Sequence, residues 1–257
     1  LELGVIGCFN IQYAIKKDEL YVLEVNPRGS RTFPFVAKST GIPLARIAAR
    51  LTMGDLLSDL NIPERQEEAV AVKAPVFPFI KLRGLDPAPG PEMKSTGEVM
   101  GSHKNAAAAY LKARMATEIP VPTHGGVYIT VKDSDKESII PLAKSLKDME
   151  FDLYATRGTA AILRERGGLE VNSAYRIAEQ GSPDALDLMR DGKIQLIINT
   201  PTNSGGAVLD GNMMRRLAVE LNIPFVTTLS GATMEVQAVA EMIKGLPEPR
   251  SLTIGTV

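Results

Sequence analysis

From residue 127 onward the chain alternates short apolar runs with helical patterns, and nothing else in it restricts the fold as strongly. Residues 127–131, 151–155, 194–198 and 224–227 read as strands, and 170–177 as a further extended segment. Between them, helices are expected over 134–149, 159–166, 184–190, 212–221 and 232–243. Ser134 with Glu137 three residues on reads as a capping box. Ser182 followed by Pro183 reads as an N-cap with proline at the first helical position. Strands that are apolar on both sides must be covered on both sides. The expectation is an α/β unit: a parallel, Rossmann-like sheet with helices on its two faces.

In such open sheets, ligands sit beyond the carboxyl ends of the strands. Residues 132–136 lie there after the first strand, and Thr156-Arg157-Gly158-Thr159 after the second. Asn199-Thr200-Pro201-Thr202-Asn203-Ser204-Gly205-Gly206 follows the fourth, and Thr228-Leu229-Ser230-Gly231 the fifth. Hydroxyls, amides, glycines and cations at helix N-termini suit a phosphate, because free N–H donors and the positive dipole end point at it. Hydroxyls in these places also serve as plain helix caps. Four such loops on one rim favour a phosphate or nucleotide ligand.

The half before residue 120 has a different pattern. Residues 10–16 and 21–26 each alternate apolar with polar, and Lys17-Asp18-Glu19 makes a polar turn between them, so a β-hairpin is expected. With the turn centred on Asp18, Gln12 faces Glu24 and Asn10 faces Asn26. Gln12, Glu24 and Asn26 then converge on one side of the hairpin. Three side-chain oxygens of these types suit Mg²⁺ or Mn²⁺ completed by phosphate and water. Arg28 and Arg31 follow directly, with guanidinium forks that match phosphate geometry. The bland alternative is a hairpin with a solvated polar face. A helix is expected over 43–53, a short helix and loop over 55–65, an extended run over 70–81, turns and loop over 84–101, and a helix over 105–117. Two prolines and two glycines in residues 120–126 mark a linker. The expected domains are therefore 1–119 and 120–257.

Over 257 residues the net charge is −1, which gives no reason to expect a nucleic-acid or membrane partner. The one cysteine, Cys8, cannot build an internal disulfide and reads as a small buried hydrophobe, consistent with a reducing, cytoplasmic compartment. The histidines, His103 and His124, are single and read as surface residues. No apolar run is long enough to span a bilayer. The chain opens on Leu1 in what reads as the middle of a fold, so a fragment of a longer protein is expected.

Both halves, in this order, resemble the C-terminal part of the carbamoyl phosphate synthetase large subunit. In the first half the resemblance is carried by Asn10-Ile11-Gln12-Tyr13-Ala14, by Glu24-Val25-Asn26-Pro27-Arg28-Gly29-Ser30-Arg31-Thr32-Phe33-Pro34-Phe35-Val36, by Gly41-Ile42-Pro43-Leu44-Ala45 and by the run from Gly90 to Gly101. These match the end of an ATP-grasp domain, an α+β fold. In the second half it is carried by Asp135-Lys136-Glu137, Ala155-Thr156-Arg157-Gly158-Thr159-Ala160 and Ile197-Ile198-Asn199-Thr200, which match a methylglyoxal-synthase-like regulatory domain.

The resemblance implies a ligase that phosphorylates carbamate with ATP to give carbamoyl phosphate, for pyrimidine and arginine biosynthesis. It implies that Gln12, Glu24 and Asn26 bind the Mg²⁺ or Mn²⁺ held with ATP, that Gln12 and Glu24 belong to the ATP site, and that Arg28 and Arg31 act on the phosphates. It implies as partners the rest of the large chain and a glutamine amidotransferase small subunit. For a nucleotide effector such as UMP, it implies a site at Lys136, Thr156, Thr159, Arg176, Asn199 and Thr202. Some members take ornithine on a carboxylate in the segment matching Val72-Lys73-Ala74-Pro75, where this chain has Ala74, so weak or no ornithine response is expected. The fragment alone is expected to be inactive. The alternatives are a purely regulatory nucleotide-binding module, a methylglyoxal synthase and an ATP-grasp ligase acting on another acid.

Overall fold

In the computed structural model, residues 3–62, 69–77, 94–201, 205–249 and 251–252 are described. The first half opens with an antiparallel hairpin of β1 (Asn10–Lys16) and β2 (Glu19–Asn26). The helices α1 (Thr32–Thr40) and α2 (Leu44–Thr52) follow, with a short 3-10 turn at Leu57–Asp59. A second antiparallel pair is β3 (Val70–Val76) and β4 (Gly97–His103), covered by α3 (Ala106–Met115).

The expected α/β unit forms from residue 126. Its strands are β5 (Gly126–Thr130), β6 (Asp152–Thr156), β7 (Asn172–Ala174), β8 (Ile194–Asn199) and β9 (Phe225–Val226), all parallel in the order β7-β6-β5-β8-β9. The helices are α4 (Lys136–Asp148), α5 (Arg157–Glu165), α6 (Ala185–Arg190), α7 (Gly205–Glu220) and α8 (Leu229–Lys244). The strand side chains divide between two cores. Val127, Ile129, Leu153, Leu196 and Ile198 pack with Ile139, Leu163 and Val236 from α4, α5 and α8. Tyr128 and Ile197 pack with Leu188, Met189, Met214 and Ala218 from α6 and α7. Both faces are covered, as apolar parallel strands require.

Several local expectations change. Residues 97–101 are strand rather than loop, because β4 pairs with the whole of β3. Gly101 is there for closeness: a Cβ on it would lie 2.0 Å from the Ala109 carbonyl oxygen and 2.5 Å from the Ala113 nitrogen of α3. The expected capping box at Ser134 does not form. A 3-10 turn at Asp133–Asp135 precedes α4, so Ser134 lies inside that turn and bonds Asp135, while Glu137 pairs with Arg166. The N-cap of α6 is Asp184, not Ser182: its carboxylate accepts from the Asp187 N–H and Asp187 reciprocates. Residues 32–40 form α1, closed by Gly41 at φ 75°. The expected extension over 78–81 and the loop over 84–93 lie outside the described residues.

The two halves meet at α3. One side of this helix covers β3 and β4 and another packs on α8, where Glu235 is fully buried. Arg114 reaches it with two bonds, Nε to Oε2 at 2.9 Å and Nη2 to Oε1 at 3.1 Å, and the Tyr110 hydroxyl adds a third at 2.9 Å. Burial, and then the Glu235 charge, push the Tyr110 hydroxyl well above its ordinary pKa. A folded-state pKa above the unfolded one stabilises the fold fully below about pH 10, the unfolded tyrosine value, and that contribution falls as pH rises beyond it. Melting temperature is therefore expected to drop above about pH 10, and to drop less in Tyr110→Phe than in the unaltered chain. Parallel pH profiles for the two proteins would exclude this role for Tyr110.

Candidate functional site

The strand ends of the parallel sheet carry two adjoining cavities. One, of about 250 Å³, is lined by Thr130, Asp133, Lys136, Thr156, Arg157, Gly158, Thr159 and Arg176 among others. The other, of about 170 Å³, is lined by Tyr128, Thr130, Thr156, Arg176, Asn199, Thr200, Asp210 and Arg215 among others. Lys136, Thr156, Thr159, Arg176 and Asn199, expected at a single rim, thus converge on one shared depression. Thr202 lies outside the described residues.

Each of these side chains is placed by a local device. Thr156 ends β6 and stands as N-cap of α5 without a side-chain capping bond. Its hydroxyl instead donates to Thr159 Oγ1 at 3.3 Å. The first N–H groups of α5 are thus left uncapped by a side chain at the cavity wall, the polarity that favours an anion. Gly158 keeps that wall low: a Cβ there would come within 3.3 Å of the Lys136 ammonium. Lys136 opens α4 and pairs with Asp133 at 2.8 Å. The hydrogen bond and charge of Lys136 hold the Asp133 carboxyl below its usual range, with Arg176 adding to the effect. Asp133 is almost fully exposed, so an incoming anion would exchange places with a solvated carboxylate. Arg157 bonds Glu179 at 2.6 Å and lies over the Tyr175 ring at 5.4 Å.

On the other side, Thr200 ties β8 to β5: its N–H donates to the Thr130 carbonyl and its hydroxyl accepts from the Lys132 N–H at 3.0 Å. Asn199 Oδ1 accepts from Arg215 Nη1 at 3.0 Å, and Arg215 also donates to Asn212. Sequence reading missed Tyr128, Thr130, Asp210 and Arg215 as cavity-lining groups. Tyr128 and Thr130 carried a signal, two polar-tipped side chains in an otherwise apolar strand; Arg215 carried none, since it reads as an ordinary charge on a helix.

The hairpin edge is more open. Gln12 faces Glu24 and Asn10 faces Asn26, as expected, and Asn26 Nδ2 donates to Glu24 Oε1 at 3.0 Å. Glu24 and Arg28 are exposed. Arg28 donates to the Gly29 carbonyl at 3.2 Å, and Arg31 to the Ser95 carbonyl at 3.3 Å. The donor set, one carboxylate with two amides, fits a hard cation whose shell is completed by phosphate oxygens. Among the described residues no group of three His, Cys, Asp or Glu side chains stands ready to hold a metal. Cys8 is half-buried rather than enclosed, and lines a cavity between the hairpin start and α1–α2. Among the described residues no helix is long and apolar enough to cross a membrane.

Comparison with known proteins gives two family matches. Residues 138–227 match the family described as MGS-like domain, and residues 1–60 the family described as carbamoyl-phosphate synthase L chain, ATP binding domain. The carbamoyl phosphate synthase large chain of Methanothermobacter thermautotrophicus is 48% identical over 256 residues, 98% of this chain and 24% of that one. The proteins named carbamoyl phosphate synthase large chain, C-terminal section, of Methanocaldococcus jannaschii and Methanopyrus kandleri are 44% and 46% identical, over 95% and 94% of this chain. The chain spans 41% and 45% of their lengths. A solved methylglyoxal synthase from Elizabethkingia anophelis aligns at TM-score 0.37 and 17% identity, covering 45% of this chain and 79% of that one.

Proposed function

Because this chain belongs with the C-terminal sections of carbamoyl phosphate synthase large chains, we propose that it joins the end of an ATP-grasp domain, residues 1–119, to an effector-binding domain, residues 120–257. In the whole protein the first part would serve ATP-dependent phosphorylation of carbamate, alongside the rest of the large chain and a glutamine amidotransferase subunit. Exposed Ile15, Leu20, Val22 and Leu23 on the hairpin support packing against further protein. Gln12, Glu24 and Asn26 would hold Mg²⁺ or Mn²⁺, and Arg28 and Arg31 would contact the phosphates. The bound ion would neutralise charge on the transferring phosphoryl group. The side chains' own part is orientation: guanidinium forks fix phosphate oxygens in a plane.

The second part would bind a phosphorylated effector of the UMP type. The observation that carries this is the convergence of Lys136, Thr156, Thr159, Arg176 and Asn199 on two adjoining cavities at the carboxyl ends of the strands. Calorimetric titration of the purified chain with UMP tests it: one binding site is expected, and no heat of binding up to millimolar UMP would contradict it. A lyase acting on a triose phosphate is disfavoured by position. His124 precedes β5 at the amino end of the sheet, opposite the rim, and the His103 ring lies in β4, where it accepts from the Asn105 N–H.

Ala74 sits in β3 opposite Val99 and offers no charge to an ammonium group. The neighbouring Glu98 carboxylate is already paired with Lys73 at 3.3 Å. Ornithine is therefore expected to bind no tighter than about 1 mM. A calorimetric dissociation constant well below that would show that another acidic group takes the amine.

A further inference from the structure

One further group, Tyr128, reaches the rim from the core. Tyr128 lies in β5 at 2% exposure, packed beside Ile197, Ala185 and Met214. The ring packs into that core, while the residue also lines the smaller, 170 Å³ cavity. No other described residue forms a hydrogen bond with its hydroxyl. A hydroxyl that no other described residue engages, on a ring otherwise enclosed by the core, is reached only from the cavity and is free to bond a ligand there. Burial, and then the charges of Asp184 and Asp210, keep the hydroxyl protonated and able to donate.

The same cavity presents Asn199. Guanidinium nitrogens only donate, so the bond from Arg215 fixes the Asn199 carbonyl oxygen toward α7 and turns its N–H₂ group the other way. The larger cavity shares Thr130, Thr156 and Arg176 with this one and holds Lys136. The two form one groove, with Lys136 toward one end and Tyr128, Asn199, Asp210 and Arg215 toward the other. A phosphate ester anchored at Lys136 would lay its organic part over Tyr128.

Resting on the effector-site reading, we propose that Tyr128 is a specificity-determining residue. Its hydroxyl hydrogen-bonds the organic part of a bound phosphate ester and so separates a nucleoside monophosphate from inorganic phosphate.

Tyr128→Phe removes one oxygen and keeps the ring. The unaltered chain, Tyr128→Phe and Lys136→Ala are each titrated with UMP, ribose 5-phosphate and inorganic phosphate. UMP is expected to bind Tyr128→Phe about three- to tenfold more weakly than the unaltered chain, with phosphate unchanged within about twofold. A matching loss for ribose 5-phosphate places the bond on the sugar, and its absence places it on the base; either supports the proposal. Unchanged UMP binding, as when the hydroxyl meets only water, overturns it. So does an equal weakening of UMP and phosphate, which would mean a loosened site. If Lys136→Ala loses UMP while Tyr128→Phe does not, the effector site stands and the Tyr128 proposal alone falls. If the unaltered chain binds no UMP, or Lys136→Ala binds it unchanged, both fall.

Discussion

Replacing Glu235 by alanine is expected to cost about 3–5 kcal/mol of folding stability, the range for breaking a buried ion pair from one side. Glu235 is fully buried and holds three bonds, two from the Arg114 guanidinium and one from the Tyr110 hydroxyl. Its loss would strand a guanidinium with only 12% side-chain exposure between α3 and α8. Arg114 would keep its 3.2 Å bond to the Thr117 hydroxyl, which answers one donor and no charge. The urea midpoint followed by circular dichroism measures the loss. The double substitution Arg114→Met with Glu235→Leu is expected to recover much of it, since removing both charges ends the desolvation problem. A single-variant loss below about 1 kcal/mol would mean that the pair is reached by water and does not hold the two halves together.

Lys136→Ala is expected to weaken UMP binding by roughly ten- to a hundredfold, the scale of one charged hydrogen bond to phosphate. In the free chain Lys136 is engaged by Asp133, an exposed carboxylate that a phosphate can displace. Glu24→Ala, on the hairpin, is expected to leave UMP binding unchanged. Calorimetry on the two variants separates the sites. Loss in Glu24→Ala with retention in Lys136→Ala would place the nucleotide on the hairpin instead.

The sequence carried the sheet well because its signal is local: apolar strands between helices leave few arrangements. The hairpin register shows a subtler case. A turn centred on Asp18 pairs residues whose numbers sum to 36, and Gln12–Glu24 and Asn10–Asn26 do pair that way. The turn itself is tighter, with Lys17 and Asp18 at φ 49° and 64°, and Lys16 pairs Glu19. An irregularity after Gln12 leaves Leu23 unpaired and restores the expected register toward the open end. Two compensating local features gave the right facing residues.

What sequence reading could not reach were features set by distant packing. β4 looked like loop because of Gly97 and Gly101, and only the helix lying on Gly101 explains the second glycine. Arg215 enters the rim cavity from a helix whose own pattern announces only surface, while Tyr128 enters from a strand in which only its polar tip and Thr130 depart from a core pattern. The expected boundary at residue 120 marks a change of pattern, yet Arg114 and Glu235 bind across it.

The most direct measurement of where a nucleotide sits is an NMR titration of the isotope-labelled chain with UMP, following backbone amides. Shifts are predicted at Thr130, Lys136, Thr156, Gly158, Thr159, Arg176 and Asn199, with Gln12, Glu24 and Asn26 unmoved. Shifts concentrated on the hairpin, with the rim silent, would contradict binding at the rim.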